Sequence, residues 1–187
     1  RHLGLSGAAF PWRTIHGEEC SAYWPAGTAA LHANAVIARA VNSYRNVTGD
    51  TTLEVEGGLE ILVETARLWI SHGHYDRDGA WHLDGVTGPD EYSAVADDNV
   101  FTNLMAARNL RGAADACARQ PELADRLGVG PDEPDVWRAA AEAVYVPYDE
   151  RLGVHPQSEN FTRYAPWDFP ETRVHQPLMM QAPYFLA

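Results

Sequence analysis

The chain has 187 residues, 45% hydrophobic and 21% charged, which fits one globular, soluble domain with a sizeable core. Its formal net charge is −12, from 14 Lys+Arg against 26 Asp+Glu, a balance that repels phosphate backbones and anionic lipid surfaces and argues against nucleic acid as a partner. There is no apolar run long enough for a membrane span and no charged-then-apolar leader, and Cys20 and Cys117 are too few for a disulfide framework or thiol cluster. The cytoplasm is the simplest compartment. The sequence starts at Arg1 and stops at Tyr184-Phe185-Leu186-Ala187, so a fragment of something longer is expected.

Residues 1–27 read as loop, punctuated by Gly4, Gly7, Pro11, Gly17, Pro25 and Gly27, with Trp12, Tyr23 and Trp24 as aromatic surface. From Thr28 to Tyr44 the pattern turns helical: Val36, Ile37, Ala40, Val41 and Tyr44 recur at the spacing of one helix face. Thr48-Gly49-Asp50 ends it. Thr51 and Glu54 have the spacing of a capping box and open a second helix that runs to about Ser71. Its apolar residues Leu59, Leu62, Val63, Ala66, Leu68, Trp69 and Ile70 fill more than one stripe, which predicts cover on more than one side.

Residues 72–97 form a long connection. A third helix is expected from about Asp98 to Ala118, with Phe101, Leu104, Met105 and Ala114 inward. The Pro/Gly-containing link from Pro121 to Pro131 leads to a fourth, where Val136, Trp137, Ala140, Ala141, Val144 and Tyr145 repeat at helical period. Residues 147–177 are a second long loop, and Pro177 is placed to open a fifth helix. Short and long connections alternate, as they do when helices form a ring with the site on one rim. The expected fold class is therefore all-α, a partial bundle or part of an α/α barrel, with functional long loops.

The first long connection holds Leu83-Asp84-Gly85-Val86-Thr87-Gly88-Pro89-Asp90-Glu91-Tyr92. Gly85 and Gly88 reach backbone angles closed to other residues and Pro89 fixes its own φ, so Glu91 is held more firmly than on a Ser/Gly tether. Such a loop on a rigid scaffold suits a catalytic carboxyl, although taken on its own it reads first as a surface turn with solvated acids. His72-Gly73-His74 with Asp76 and Asp78 lacks a helical ligand spacing and reads as a polar helix exit. Asp76-Arg77-Asp78-Gly79 begins like a calcium loop but has Thr87 where the twelfth-position glutamate belongs, so no metal site is expected. No Walker-type phosphate loop or nucleophile elbow is present.

Three motifs in order resemble one family. Gly7-Ala8-Ala9-Phe10-Pro11-Trp12-Arg13-Thr14 with Gly17-Glu18-Glu19 is similar to the opening of the catalytic domain of glycoside hydrolase family 65, the maltose, trehalose and kojibiose phosphorylases. Glu64-Thr65-Ala66-Arg67-Leu68-Trp69 resembles that family's second marker helix. Val86-Thr87-Gly88-Pro89-Asp90-Glu91-Tyr92, followed by Asp98-Asn99-Val100-Phe101-Thr102-Asn103, resembles its general-acid loop and the helix after it. Trp167-Asp168-Phe169 and Pro177-Leu178 look more loosely like the trehalose-phosphorylase branch.

The resemblance implies an (α/α)6 barrel, of which this chain is less than half, and inverting phosphorolysis of an α-glucosyl disaccharide to β-glucose 1-phosphate and a free sugar. It implies Glu91 as general acid and inorganic phosphate as co-substrate, with no metal or organic cofactor, and a homodimer such as family members often form. Asp90, its neighbour in sequence, either raises the Glu91 pKa by like-charge proximity or points away from it. Trp12, Glu18 and Glu19 are candidates for the sugar subsites, the indole packing on a pyranose face and the carboxylates binding hydroxyls; core packing and a solvated turn are their other readings. Asn99 and Asn103, one helical turn apart, join the candidate site by bracing the acid loop or capping the helix. The phosphate-binding residues, or the second glutamate that replaces them in the family's hydrolases, are implied beyond Ala187. A hydrolase of the same family and a non-catalytic carbohydrate-binding helical domain are the alternatives.

Overall fold

The computed structural model describes residues 4–20, 29–90, 95–166 and 168–171. Among the described residues two short hairpins sit with five α-helices: β1 (Thr14–Ile15) pairs antiparallel with β2 (Glu18–Glu19), and β3 (His74–Tyr75) with β4 (Trp81–His82). The helices are α1 (His32–Thr48), α2 (Leu59–His72), α3 (Val100–Arg119), the short α4 (Pro121–Arg126) and α5 (Glu133–Glu142). A 3-10 turn, Phe161–Arg163, lies in the second long loop. Pro177 and the helix expected to follow it fall outside the described residues. No helix among the described residues is long and apolar enough to cross a membrane.

Helix α3 is the centre, packed against α1, α2 and α5. Ala106, Leu110, Ala113 and Ala114 of α3 meet Leu62, Val63, Ala66 and Trp69 of α2 and Trp137, Ala140 and Ala141 of α5 in one core. Helix α2 is buried on more than one face, as its broad apolar pattern predicts. The Trp69 indole donates to Asn109 Oδ1 of α3 at 3.0 Å, which satisfies a polar group the core would otherwise strand.

The first helix departs from expectation in place and face. It starts at His32 rather than Thr28, and it buries Ala35, Ala38 and Val41, while Val36 and Tyr44 lie exposed. Helix α1 packs closely on α3, where a Cβ on Gly112 would collide with the Asn42 side chain. Leu104 of α3 and Val136 of α5 are likewise exposed rather than inward. Gly49, at φ 71°, closes α1 in the left-handed conformation, its N–H bonding to Arg45 O.

The capping box expected at Thr51 and Glu54 is replaced by another arrangement. Asp50 Oδ1 accepts from Thr52 N at 2.8 Å, and Glu54 turns inward, 2% exposed, to Arg119 Nη2 at 2.6 Å and Arg45 Nε at 3.6 Å. A buried carboxylate needs cations more than the exposed Thr51 needs a partner. Residues Glu54–Gly58 form a kinked π turn, where Gly58 lies against Leu53 O and Val41 without room for a Cβ.

A braced acidic loop as the candidate active site

The acidic loop is closed at its neck by main-chain pairing. Strand β4 is anchored first: Trp81 N donates to Ala143 O and Tyr145 N to Trp81 O, both at 2.8 Å. One residue on, Asp98 N donates to Leu83 O at 2.9 Å and Leu83 N to Asp98 Oδ1 at 3.3 Å. Gly85, with φ 64°, donates to Asp97 Oδ1 at 2.9 Å. Val86 and Ala96 then exchange both backbone hydrogen bonds at 2.9 Å. The two limbs, residues 84–90 and 95–97, are thus held together at the neck by two backbone rungs.

Its N-terminal limb is tied to the body as well. Thr87 N donates to Ala29 O at 2.9 Å, and the buried His32 Nδ1 lies 2.9 Å from Thr87 O. A carbonyl only accepts, so that nitrogen carries the proton. Gly88 lies against the Asn99 amide with no space for a Cβ. Asn99 is the N-cap of α3, its Oδ1 accepting from Thr102 N at 3.1 Å and from Thr102 Oγ1 at 3.2 Å.

Glu91 itself, with residues 92–94, lies outside the described residues, although both limbs leading to it are placed. Asp90 is exposed. Trp12 is 39% exposed, and its ring lies 5.2 Å from the ring of His32, the same residue that bonds Thr87. The N-terminal segment reaches that position across α2 and α1: Ala8 N donates to Glu64 O at 3.1 Å, and Phe10 N to Asn34 Oδ1 at 2.6 Å. Gly7 sits so close to the Glu64 carbonyl that a Cβ would collide with it. Sequence motifs more than fifty residues apart therefore meet at one loop.

Glu18 is exposed on the β1–β2 hairpin, and Glu19 pairs with Thr14 across it. Asn103 is fully buried, its Nδ2 donating to Asp98 Oδ1 and to Tyr145 O, each at 2.8 Å. The side chains of Asn99 and Asn103 are thus directed to protein groups beneath the loop. Trp167 lies outside the described residues, and Asp168 caps a turn by accepting from Glu171 N at 3.0 Å.

Under the neck is a polar cluster. His82 Nδ1 is 2.8 Å from Asp98 Oδ2, and its ring stacks between His74, at 5.6 Å, and Tyr145, at 4.6 Å. Burial lowers the His82 pKa, but the carboxylates of Asp98 and Asp76 outweigh it and leave it raised. Tyr145 Oη donates to Glu159 Oε2 at 2.9 Å, and burial followed by that bond raises the tyrosine pKa. Burial and the neighbouring Asp97 raise Asp84. The polar helix exit is a turn: Asp76 Oδ1 accepts from Ala80 N and Asp78 N, and His72 Nε2 donates to Asp84 O. Among the described residues no group of three or more His, Cys, Asp or Glu is arranged to hold a metal ion.

The model for the glycosyl hydrolase family 65 central catalytic domain matches residues 1–185. The chain belongs to glycoside hydrolase family 65. It is 64% identical over 182 residues to an uncharacterized glycosyl hydrolase of Mycobacterium tuberculosis, covering 97% of this chain and 23% of that protein. It is 44% identical over 190 residues to the α,α-trehalose phosphorylase of Geobacillus stearothermophilus, covering 96% of this chain and 25% of the other. The chain thus spans about a quarter of the length of these curated relatives.

Among solved structures, a human-microbiome protein provisionally named a kojibiose phosphorylase superposes with a TM-score of 0.77 at 24% identity, covering 88% of this chain and 25% of that one. The fold is all-α, part of an (α/α)6 barrel, with the acidic loop in a long connection between helices.

The sequence alone assigns no role to four residues that hold the acidic loop and its neck: His32, His82, Tyr145 and Asp98, the last being only the first residue of a motif. None has a partner at helical or strand spacing; His82 and Asp98 are 16 positions apart. The one local sign is the doubled acid Asp97-Asp98 ahead of a helix cap, which spacing alone does not distinguish from solvated charge.

Proposed function

We propose that this chain is part of an inverting phosphorylase that splits an α-glucosyl disaccharide with inorganic phosphate, giving β-glucose 1-phosphate and a free sugar. Glu91 is the general acid. A sugar alkoxide is a poor leaving group at neutral pH, so a protonated carboxyl beside the glycosidic oxygen is required. Phosphate is already a competent nucleophile, and one carboxyl therefore suffices where an inverting hydrolase needs two. The observation that carries the reading is the doubly rung loop, which fixes both limbs around Glu91 within a family 65 catalytic domain.

Trehalose is the proposed substrate, supported by the likeness to a trehalose phosphorylase. Kojibiose and maltose are the next candidates. Trp12, which stands by the loop through His32, packs on a sugar ring, and Glu18, Glu19 and Asp90 complete the polar side of the site. The same reading places the protein in the cytoplasm as a homodimer, with neither metal nor organic cofactor and no nucleic-acid partner.

The test uses the full-length protein with trehalose, maltose and kojibiose, with and without phosphate, followed by NMR. β-Glucose 1-phosphate formed only with phosphate is expected. Free β-glucose formed equally well without phosphate would make the protein a family 65 hydrolase instead. Glu91→Gln should abolish turnover while leaving the fold intact; carbohydrate binding without turnover in both parent and variant would mark a non-catalytic domain.

A further inference from the structure

We propose that His82 and Asp98 are a positioning pair for the acid loop, His82 acting through Asp98 to fix the neck from which Glu91 is presented. This rests on the reading of Glu91 as the general acid.

Asp98 stands where the two limbs of the loop meet, 4% exposed, with φ 50°. A non-glycine residue in this left-handed region persists where its surroundings over-determine it, and Asp is one of the few that tolerate it. Here they do. Its N–H bonds Leu83 O; Oδ1 accepts from Leu83 N and Asn103 Nδ2; Oδ2 lies 2.8 Å from His82 Nδ1. One carboxylate therefore joins the end of β4, the first turn of α3 and the imidazole. An ionised carboxylate only accepts, so His82 Nδ1 donates to it.

The pair also has its own support. His82 precedes Leu83 directly, and Asp98 precedes the α3 cap Asn99, so the bond crosses the neck below the Val86–Ala96 rung. The groups facing His82 are Asp98 from the returning limb, Asp76 from the β3–β4 turn, His74 from β3 and Tyr145 from the segment after α5. Asp84 lies 3.7 Å from His74. Nε2 of His82 is buried 3.4 Å from Asp76 Oδ2 but makes no well-formed bond there, so the directed contact of the ring is the one to Asp98. Glu91 stands midway between Val86 and Ala96 in sequence, so a tilt of the neck displaces its carboxyl.

The experiment compares His82→Phe, His82→Gln and Asp98→Asn in the full-length protein with Glu91→Gln alongside. Phe keeps the stack on Tyr145 and loses the donor; Gln keeps a donor and loses the ring; Asn tolerates the left-handed backbone and loses the charge. A displacement of about 1 Å costs about 100-fold in rate, so His82→Phe and Asp98→Asn are expected to lose about that much kcat with KM for the disaccharide nearly unchanged. His82→Gln is expected to retain about ten times more kcat than His82→Phe.

Parent-like kcat in His82→Phe, or equal values in the Phe and Gln variants, overturns the pair. A loss of kcat that only tracks loss of folded protein overturns it too. If His82→Phe does not fold, Asp98→Asn carries the same comparison. Inactive Glu91→Gln beside parent-like His82→Phe and Asp98→Asn refutes the pair alone, whereas active Glu91→Gln refutes the acid assignment itself.

Discussion

Replacing Gly88 with alanine adds a single methyl group at the tightest contact between the acid loop and helix α3. The new Cβ would stand 2.7 Å from Cγ and Oδ1 of Asn99, and nearer still to Nδ2. Asn99 is 1% exposed and cannot swing aside without surrendering its bonds to Thr102 N and Oγ1. Two costs follow. Losing the cap is worth about 1 kcal/mol, and forcing a methyl into a filled space costs about 1–3 kcal/mol. The expected destabilisation is about 2–4 kcal/mol, read as a lower urea midpoint at unchanged slope. Because Gly88 is three residues from Glu91, kcat should also fall by about 100-fold if the loop moves by 1 Å.

A double-mutant cycle decides whether Asn99 is the cause. Asn99→Ala alone loses the cap, at about 1 kcal/mol. Combined with Gly88→Ala, it opens room for the methyl group, so the double variant should be little worse than Asn99→Ala, with a coupling of about 2–4 kcal/mol, nearly the whole cost of Gly88→Ala. Additive losses within about 0.5 kcal/mol would refute the reasoning, as would a Gly88→Ala protein with parent stability and kcat.

Two further outcomes follow from the same contacts. Glu54→Gln leaves Arg119 and Arg45 facing a neutral group at the kink before α2; breaking a fully buried pair costs about 3–5 kcal/mol, and because each arginine is about 30% exposed the expected loss is nearer 1–3 kcal/mol, measurable by urea unfolding. The raised pKa of His82 contributes stability that is fully present below the ordinary value of 6.5 and lost as pH rises through the folded value. The difference in urea midpoint between parent and His82→Gln should therefore shrink above that pH, and a constant difference from pH 5.5 to about 9 would contradict it.

How much of this was legible in the sequence depended on whether the relevant physics is local. Helix α2 was readable because its apolar residues are buried on several sides, so no choice of face was needed. Helix α1 was not. Periodicity selects large apolar side chains, whereas Ala35 and Ala38, which the structure buries, carry no strong signal of burial. The Thr51–Glu54 spacing was equally misleading, since a capping box is inferred from two residues and the true partner of Glu54, Arg119, is 65 positions away.

The same distinction separates the acid loop from the groups that hold it. Gly85 and Pro89 announce a constrained turn because each frees or restricts its own backbone, and Asn99 announces a cap because its partner is three residues on; Gly88, whose φ is not left-handed, is required instead by its contact with the Asn99 amide. The neck is different. Asp98 is a carboxylate removed from water, set in a left-handed conformation and compensated by a histidine 16 positions earlier, and each of these features costs stability when taken alone. A chain that needed only a surface turn could close it with the Val86–Ala96 rung. Keeping a buried charge at the crossing of two limbs makes sense where the position of what lies between them matters more than the stability of the turn, and the role proposed for Glu91, a general acid that must meet a glycosidic oxygen to within a fraction of an ångström, would impose that demand.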